Sequence, residues 1–154
     1  MFYDIVFPKN NEKKFISLAE KLGIEGICFA YAYDKKTINL TELQKTTKIK
    51  LQAVFNVSGS KTYKVHGEKK IAISEAGENS RDVIAKYKPD VVYNLELDVA
   101  KDFAKSRNAG LDKATCQFAS KNKVIVAFSF STILNSKNLP LLLGRIKQNI
   151  QLCK

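Results

Sequence analysis

A single histidine, His66, restricts the chemistry open to this sequence of 154 residues. A serine or cysteine nucleophile needs a base, usually histidine, that a third group orients. Ser129 and Ser131 stand in the run Phe128-Ser129-Phe130-Ser131, at the end of an apolar stretch where a nucleophile would be presented. His66 lies instead in a basic loop, and no G-x-S-x-G elbow accompanies the serines. Cys28 and Cys116 fall inside apolar patterns, where a free thiol ordinarily packs as a small side chain. Catalytic metal sites draw on several His or carboxylate ligands. Here only the scattered Asp4, Glu75 and Glu96 would be available to hold Mg2+ through water. Neither a phosphate-binding P-loop nor a G-x-G-x-x-G fingerprint occurs. No catalytic residue, no metal ligand and no cofactor is therefore assigned to the chain.

Cations are the better represented chemistry. Lys and Arg total 26 against 15 acidic residues, a formal net charge of +11. Neutralising phosphates releases condensed counterions, so such an excess favours a polyanionic partner. The same excess also arises in a lysine-rich surface with no partner. Candidate phosphate contacts are Lys61 with Lys64, Lys69 with Lys70, and Arg81. Lys105 and Arg107 stand ahead of a helix expected to start at about Asn108, and Lys121 and Lys123 bracket the following helix-to-strand turn. A helix start offers free N–H groups to an anion. Arginine grips phosphate with two parallel hydrogen bonds where lysine offers a point charge, so Arg81 and Arg107 lead the set.

The elements that must carry these residues alternate between apolar runs and amphipathic stretches. Strands are expected at 2–7, 26–33, 51–57, 71–74, 90–97 and 124–130. Runs apolar on both faces suit a parallel sheet covered by helices. Helix one shows Phe15, Leu18, Ala19 and Leu22 at i, i+3, i+4 and i+7, with Asn10 or Asn11 as cap and Gly23 at its end. A weaker helix is expected at 39–46. The stretch 58–70 shows no helical period and is expected to be a loop or short hairpin. Further helices are expected from Asn79 or Ser80 to Tyr87 and along Leu111, Ala114, Thr115, Phe118 and Ala119. The last begins at Asn138-Leu139-Pro140, with a stripe of Leu139, Leu142, Leu143, Ile146 and Ile150. Six β/α units in one domain, 1–154, imply a parallel α/β fold. It is either an open or partial barrel, since a complete TIM barrel has eight units, or a doubly wound sheet.

Length and a hydrophobic share of 45% fit one globular domain with a core of its own. No apolar run reaches the roughly 20 residues a membrane helix needs. No secretion signal is visible at the N-terminus. Three cysteines, Cys28, Cys116 and Cys153, are odd in number and widely spaced. They read as free thiols in a reducing compartment, so a cytoplasmic protein is expected.

The stretch 105–134 resembles protein component 3 of ribonuclease P, a family of archaeal and eukaryotic subunits. That family carries a basic Arg-Asn-Ser-Gly-Leu-Asn segment, then a helix, then a strand of the type Val-Ala-Ile-Gly-Phe-Ser-Phe-Ser followed by Leu-Leu. The matching residues are Arg107-Asn108-Ala109-Gly110-Leu111-Asp112, residues 124–131, and Ile133-Leu134. Ala109 stands where the family has Ser, and Asp112 where it has Asn. Tyr3-Asp4-Ile5-Val6 and the Leu22-Gly23 to Gly26-Ile27 join are also similar. The resemblance implies a TIM-barrel-like fold of the PHP type, reduced to about six units and without that type's histidine ligands. It further implies an RNA-binding, non-catalytic subunit that supports removal of the 5′ leader from precursor tRNA. Its partners would be ribonuclease P RNA, protein component 2 and the other ribonuclease P proteins, with precursor tRNA contacted indirectly. The Mg2+ of the reaction would belong to the catalytic RNA. The alternatives are a PHP-type metal-dependent phosphoesterase using Asp4, Glu75 and Glu96, and a basic α/β module for protein contacts.

Overall fold

The computed structural model describes residues 3–33, 39–68, 70–77, 80–97, 102 and 108–154. The strands β1 (Tyr3–Val6), β2 (Gly26–Ala32), β3 (Lys50–Asn56), β4 (Ile71–Glu75), β5 (Val91–Tyr93) and β6 (Ile125–Ala127) pair in chain order, every neighbour parallel. Right-handed crossovers between successive parallel strands put every connecting helix on the same face when the order never reverses. The opposite face then receives no connecting helix, and the sheet curls into a half-barrel. A doubly wound sheet would need a reversal of strand order, and among the described residues there is none.

Period-two alternation sorts the strand residues between the faces. Ile5, Cys28, Ala30, Val54, Ile71, Ile73, Val91, Tyr93 and Ala127 pack together inside the curl. Outside it, α1 (Glu12–Leu22) and α2 (Leu40–Gln44) bury Ile16, Ala19 and Leu43 against Ile27 and Phe29. The helix α3 (Lys61–Gly67) places Val65 on Phe55 and Ala72. A third cluster joins Ile84, Val92, Leu95, Leu111, Ala119 and Val124. It is built from α4 (Ser80–Asp82), which runs on into a π-helical turn at Val83–Tyr87, from a 3-10 turn at Leu95–Leu97, and from α5 (Lys113–Asn122). The helices α6 (Phe130–Leu134) and α7 (Leu139–Leu152) follow β6.

Several elements depart from the expectations. Helix α1 turns Glu12, Ile16 and Ala19 inward, and Leu22 is 65% exposed. The buried Glu12 carboxylate accepts a hydrogen bond of 3.3 Å from the Tyr31 hydroxyl, and the half-buried Phe15 packs against the same core. The expected loop at 58–70 contains α3. Only Thr62 and Val65 face inward from it, one i, i+3 pair among lysines, too little to show a period. Residues 83–87 of the expected 80–87 helix form the π turn. Strand β5 stops at Tyr93 because Asn94 turns left-handed, φ 63°, and leads into the 3-10 turn. Strand β6 stops at Ala127. Ser129 is the cap of α6, its Oγ accepting from the Thr132 N–H at 3.3 Å. Helix α5 starts five residues later than Asn108, behind an Asp112 cap. In α7 the buried face holds Arg145 and Asn149 beside Leu142 and Ile146, while Leu139, Leu143 and Ile150 are exposed.

Candidate functional site

The C-terminal ends of the strands form a polar mouth above the apolar interior. Glu75, Tyr93 and Ala127 lie level in the parallel register. The Asn94 amide donates to Glu75 Oε1 at 2.8 Å, and the Asn56 amide donates to the Tyr93 hydroxyl at 3.1 Å. Thr132 at the start of α6 donates to Asn94 Oδ1 at 3.4 Å. Burial first, then the neighbouring Glu75 carboxylate, pushes the Tyr93 phenol up to about 12. It is therefore a neutral hydrogen-bonding group at physiological pH, not a base. Of this set Asn56, Glu75 and Asn94 stand in the sequence as polar residues at or near the ends of the apolar runs. Tyr93 and Thr132 are hidden there, because each belongs to the mouth only through contacts made far along the chain.

Below the mouth a cavity of about 700 Å³ follows the seam between β1 and β6, lined by Ile5, Phe7, Tyr93, Ala127, Phe130 and Leu134 among others. Phe130 is 71% exposed on its rim because Ser129 turns the chain into α6 before the ring can enter the core. His66 lies away from the mouth, on α3, with Nε2 at 3.1 Å from Asp90 Oδ2 just ahead of β5. The carboxylates of Asp4, Glu75 and Glu96 do not gather into a metal site. Among the described residues no group of three His, Cys, Asp or Glu side chains is arranged to hold a metal ion.

Behind α5, the buried face of α7 fastens the segment after β5. Arg145 pairs with Asp102 at 2.9 Å and donates to the Glu96 backbone carbonyl at 3.1 Å. Asn149 donates to the Ala109 carbonyl at 2.9 Å. Gly110 has φ +76°, and a Cβ there would stand 1.9 Å from the Leu95 carbonyl oxygen. Ala109 and Leu111 are buried beside it. Glycine at position 110 is thus explained by close backbone packing. Glu96 is fully buried, and neither carboxylate oxygen has a hydrogen-bond partner among the described residues. Burial pushes its carboxyl above the ordinary value.

The predicted phosphate contacts fall in different places. Lys69, Lys105 and Arg107 lie outside the described residues. Lys61 opens α3 and Arg81 lies in α4, both on the side of the mouth, with Lys64 farther along α3. Asn108 precedes α5 on that same side, its backbone N–H donating to Asp102 at 3.1 Å. Lys121, Lys123 and Lys70 lie at the opposite end, where helices finish and strands begin. Lys70 pairs with Glu68 and rests 4.9 Å above the Phe55 ring. The Arg81 guanidinium sits 5.7 Å over the Phe118 ring of α5, and its charge acts on Asp112. Asp112 itself accepts from the Thr115 N–H at 2.6 Å, so the start of α5 already holds a carboxylate where the sequence suggests a phosphate. Arg81 is thus set beside Asp112, at the end of the turn that leads into α5. No helix among the described residues is long and apolar enough to cross a membrane. Compared with family models, curated proteins and solved structures, the chain matches none.

Proposed function

We propose that the chain is a non-catalytic, RNA-binding subunit of ribonuclease P that supports removal of the 5′ leader from precursor tRNA. The observation that carries this reading is the agreement of residues 107–112 and 124–131 with the component 3 pattern, on a chain of net charge +11. Two of the departures from the family pattern are conservative in place: Asp112 caps α5 as Asn would, and Ala109 is a buried small residue. Arg81 lies against α5 beside the first of these segments, which favours one surface around that turn for the RNA backbone. In this reading the half-barrel is a reduced PHP-like barrel. The chain is cytoplasmic, its protein partners are component 2 and the other ribonuclease P proteins, and Mg2+ serves the RNA.

Binding to ribonuclease P RNA, titrated against salt, tests the surface. Arg81→Ala and Arg107→Ala are each expected to lower the slope of log affinity on log salt by about one, as follows when one phosphate is no longer neutralised. Slopes equal to that of the wild type would remove these residues from the interface.

A further inference from the structure

Two of the three cysteines, far apart in sequence, meet in space. The Cys116 Sγ in α5 lies 3.6 Å from the Cys153 Sγ at the end of α7, and the Cys116 thiol donates to the Leu152 carbonyl at 3.2 Å. At that distance the sulfurs are in van der Waals contact, about 1.5 Å beyond the length of a disulfide bond. Cys153 is exposed and Cys116 is partly covered, so one sulfur is open to a reagent and the other waits behind it.

We propose that Cys116 and Cys153 are a reversible dithiol–disulfide pair that locks the end of α7 onto α5. A low-molecular-weight disulfide supplies the oxidising power. The Cys153 thiolate attacks one sulfur of that disulfide, forming a mixed disulfide and releasing one thiol. Cys116 then gives up its proton, and its sulfur attacks the Cys153 sulfur, releasing the second thiol. Two protein sulfurs are oxidised and one external disulfide is reduced to two thiols. The order follows exposure. Burial, with Cys153 as neighbour, holds the Cys116 thiol up at about 11, so it is the poorer first nucleophile and the natural resolving group.

The lock acts on the helix whose Arg145 and Asn149 hold Glu96, Asp102 and Ala109 in place. Closing a 37-residue separation removes freedom from the unfolded chain and so steadies that clamp. The inference stands whether or not the chain binds RNA.

Oxidised glutathione added to the purified chain, followed by alkylation under denaturing conditions and peptide mapping, tests it. The expected result is a monomer with a Cys116–Cys153 link, Cys28 as the one alkylated thiol, and a thermal midpoint raised by roughly 10 °C that dithiothreitol reverses. The Cys116→Ser variant is expected to stop at a glutathione adduct on Cys153, and Cys153→Ser to remain unmodified at position 116. Three alkylated thiols after oxidation, a link between two chains, or a glutathione adduct that persists in the wild type would each overturn the proposal.

Discussion

Phe7, just past the end of β1, and Tyr93, the last residue of β5, bring their ring centroids to 5.7 Å at an interplanar angle of 52°. Three strands separate β1 from β5 in the sheet, so the rings meet only because the sheet curls back toward its own edge. The contact closes one side of the mouth and roofs the cavity that follows the seam.

A double-mutant cycle measures that closure. Phe7→Ala and Tyr93→Leu, alone and combined, are expected to show a coupling of about 0.5–1.5 kcal/mol in denaturant unfolding, the range for an aromatic pair. Coupling indistinguishable from zero would mean that the rings do not meet and that the sheet is flatter.

Gly110 carries a sharper expectation. Alanine there would combine a left-handed backbone with a Cβ driven into the Leu95 carbonyl, and the atom it meets is backbone that cannot swing away. Gly110→Ala is expected to cost more than about 3 kcal/mol or to abolish folding, against about 1 kcal/mol for an ordinary glycine substitution. Urea unfolding compared with Gly77→Ala, where a Cβ meets nothing, separates the two.

Glu96 sets a dependence on pH. Its carboxyl is raised above the ordinary 4.5 by burial. Between that value and the raised one, the folded chain keeps a proton that the unfolded chain has released. Stability is therefore unaffected below about pH 4, falls as pH rises through the window, and levels off above the folded value. Glu96→Gln removes this titration. It is expected to gain on the wild type by about 1.4 kcal/mol per pH unit across the window. Unfolding midpoints collected from about pH 4 to pH 8 show it, and parallel curves for the two proteins would place a compensating charge beside Glu96.

The strands are legible in the sequence where their residues are apolar on both faces: residues 26–30 and 53–55 are each covered by helices on one side and by the curled interior on the other. Strand order is not, since alternating units fit a barrel and a doubly wound sheet equally well. Element ends escape the hydrophobic pattern where one local device overrides it. Left-handed Asn94 ends β5 inside an apolar run, and the Ser129 cap ends β6 the same way. The mouth is half legible. Strand-end polar residues can be named, but the Asn56–Tyr93 and Thr132–Asn94 bonds join residues 37 and 38 positions apart, a separation that no local pattern records. The Arg145–Asp102 pair, 43 positions apart, is equally invisible.

The most direct measurement is cleavage of precursor tRNA by ribonuclease P RNA reconstituted with component 2 and the remaining proteins, with and without this chain. The proposed function calls for faster removal of the 5′ leader when the wild-type chain is present and a smaller gain with Arg81→Ala combined with Arg107→Ala. Equal cleavage rates with and without the chain, under conditions where the other proteins are active, would contradict it.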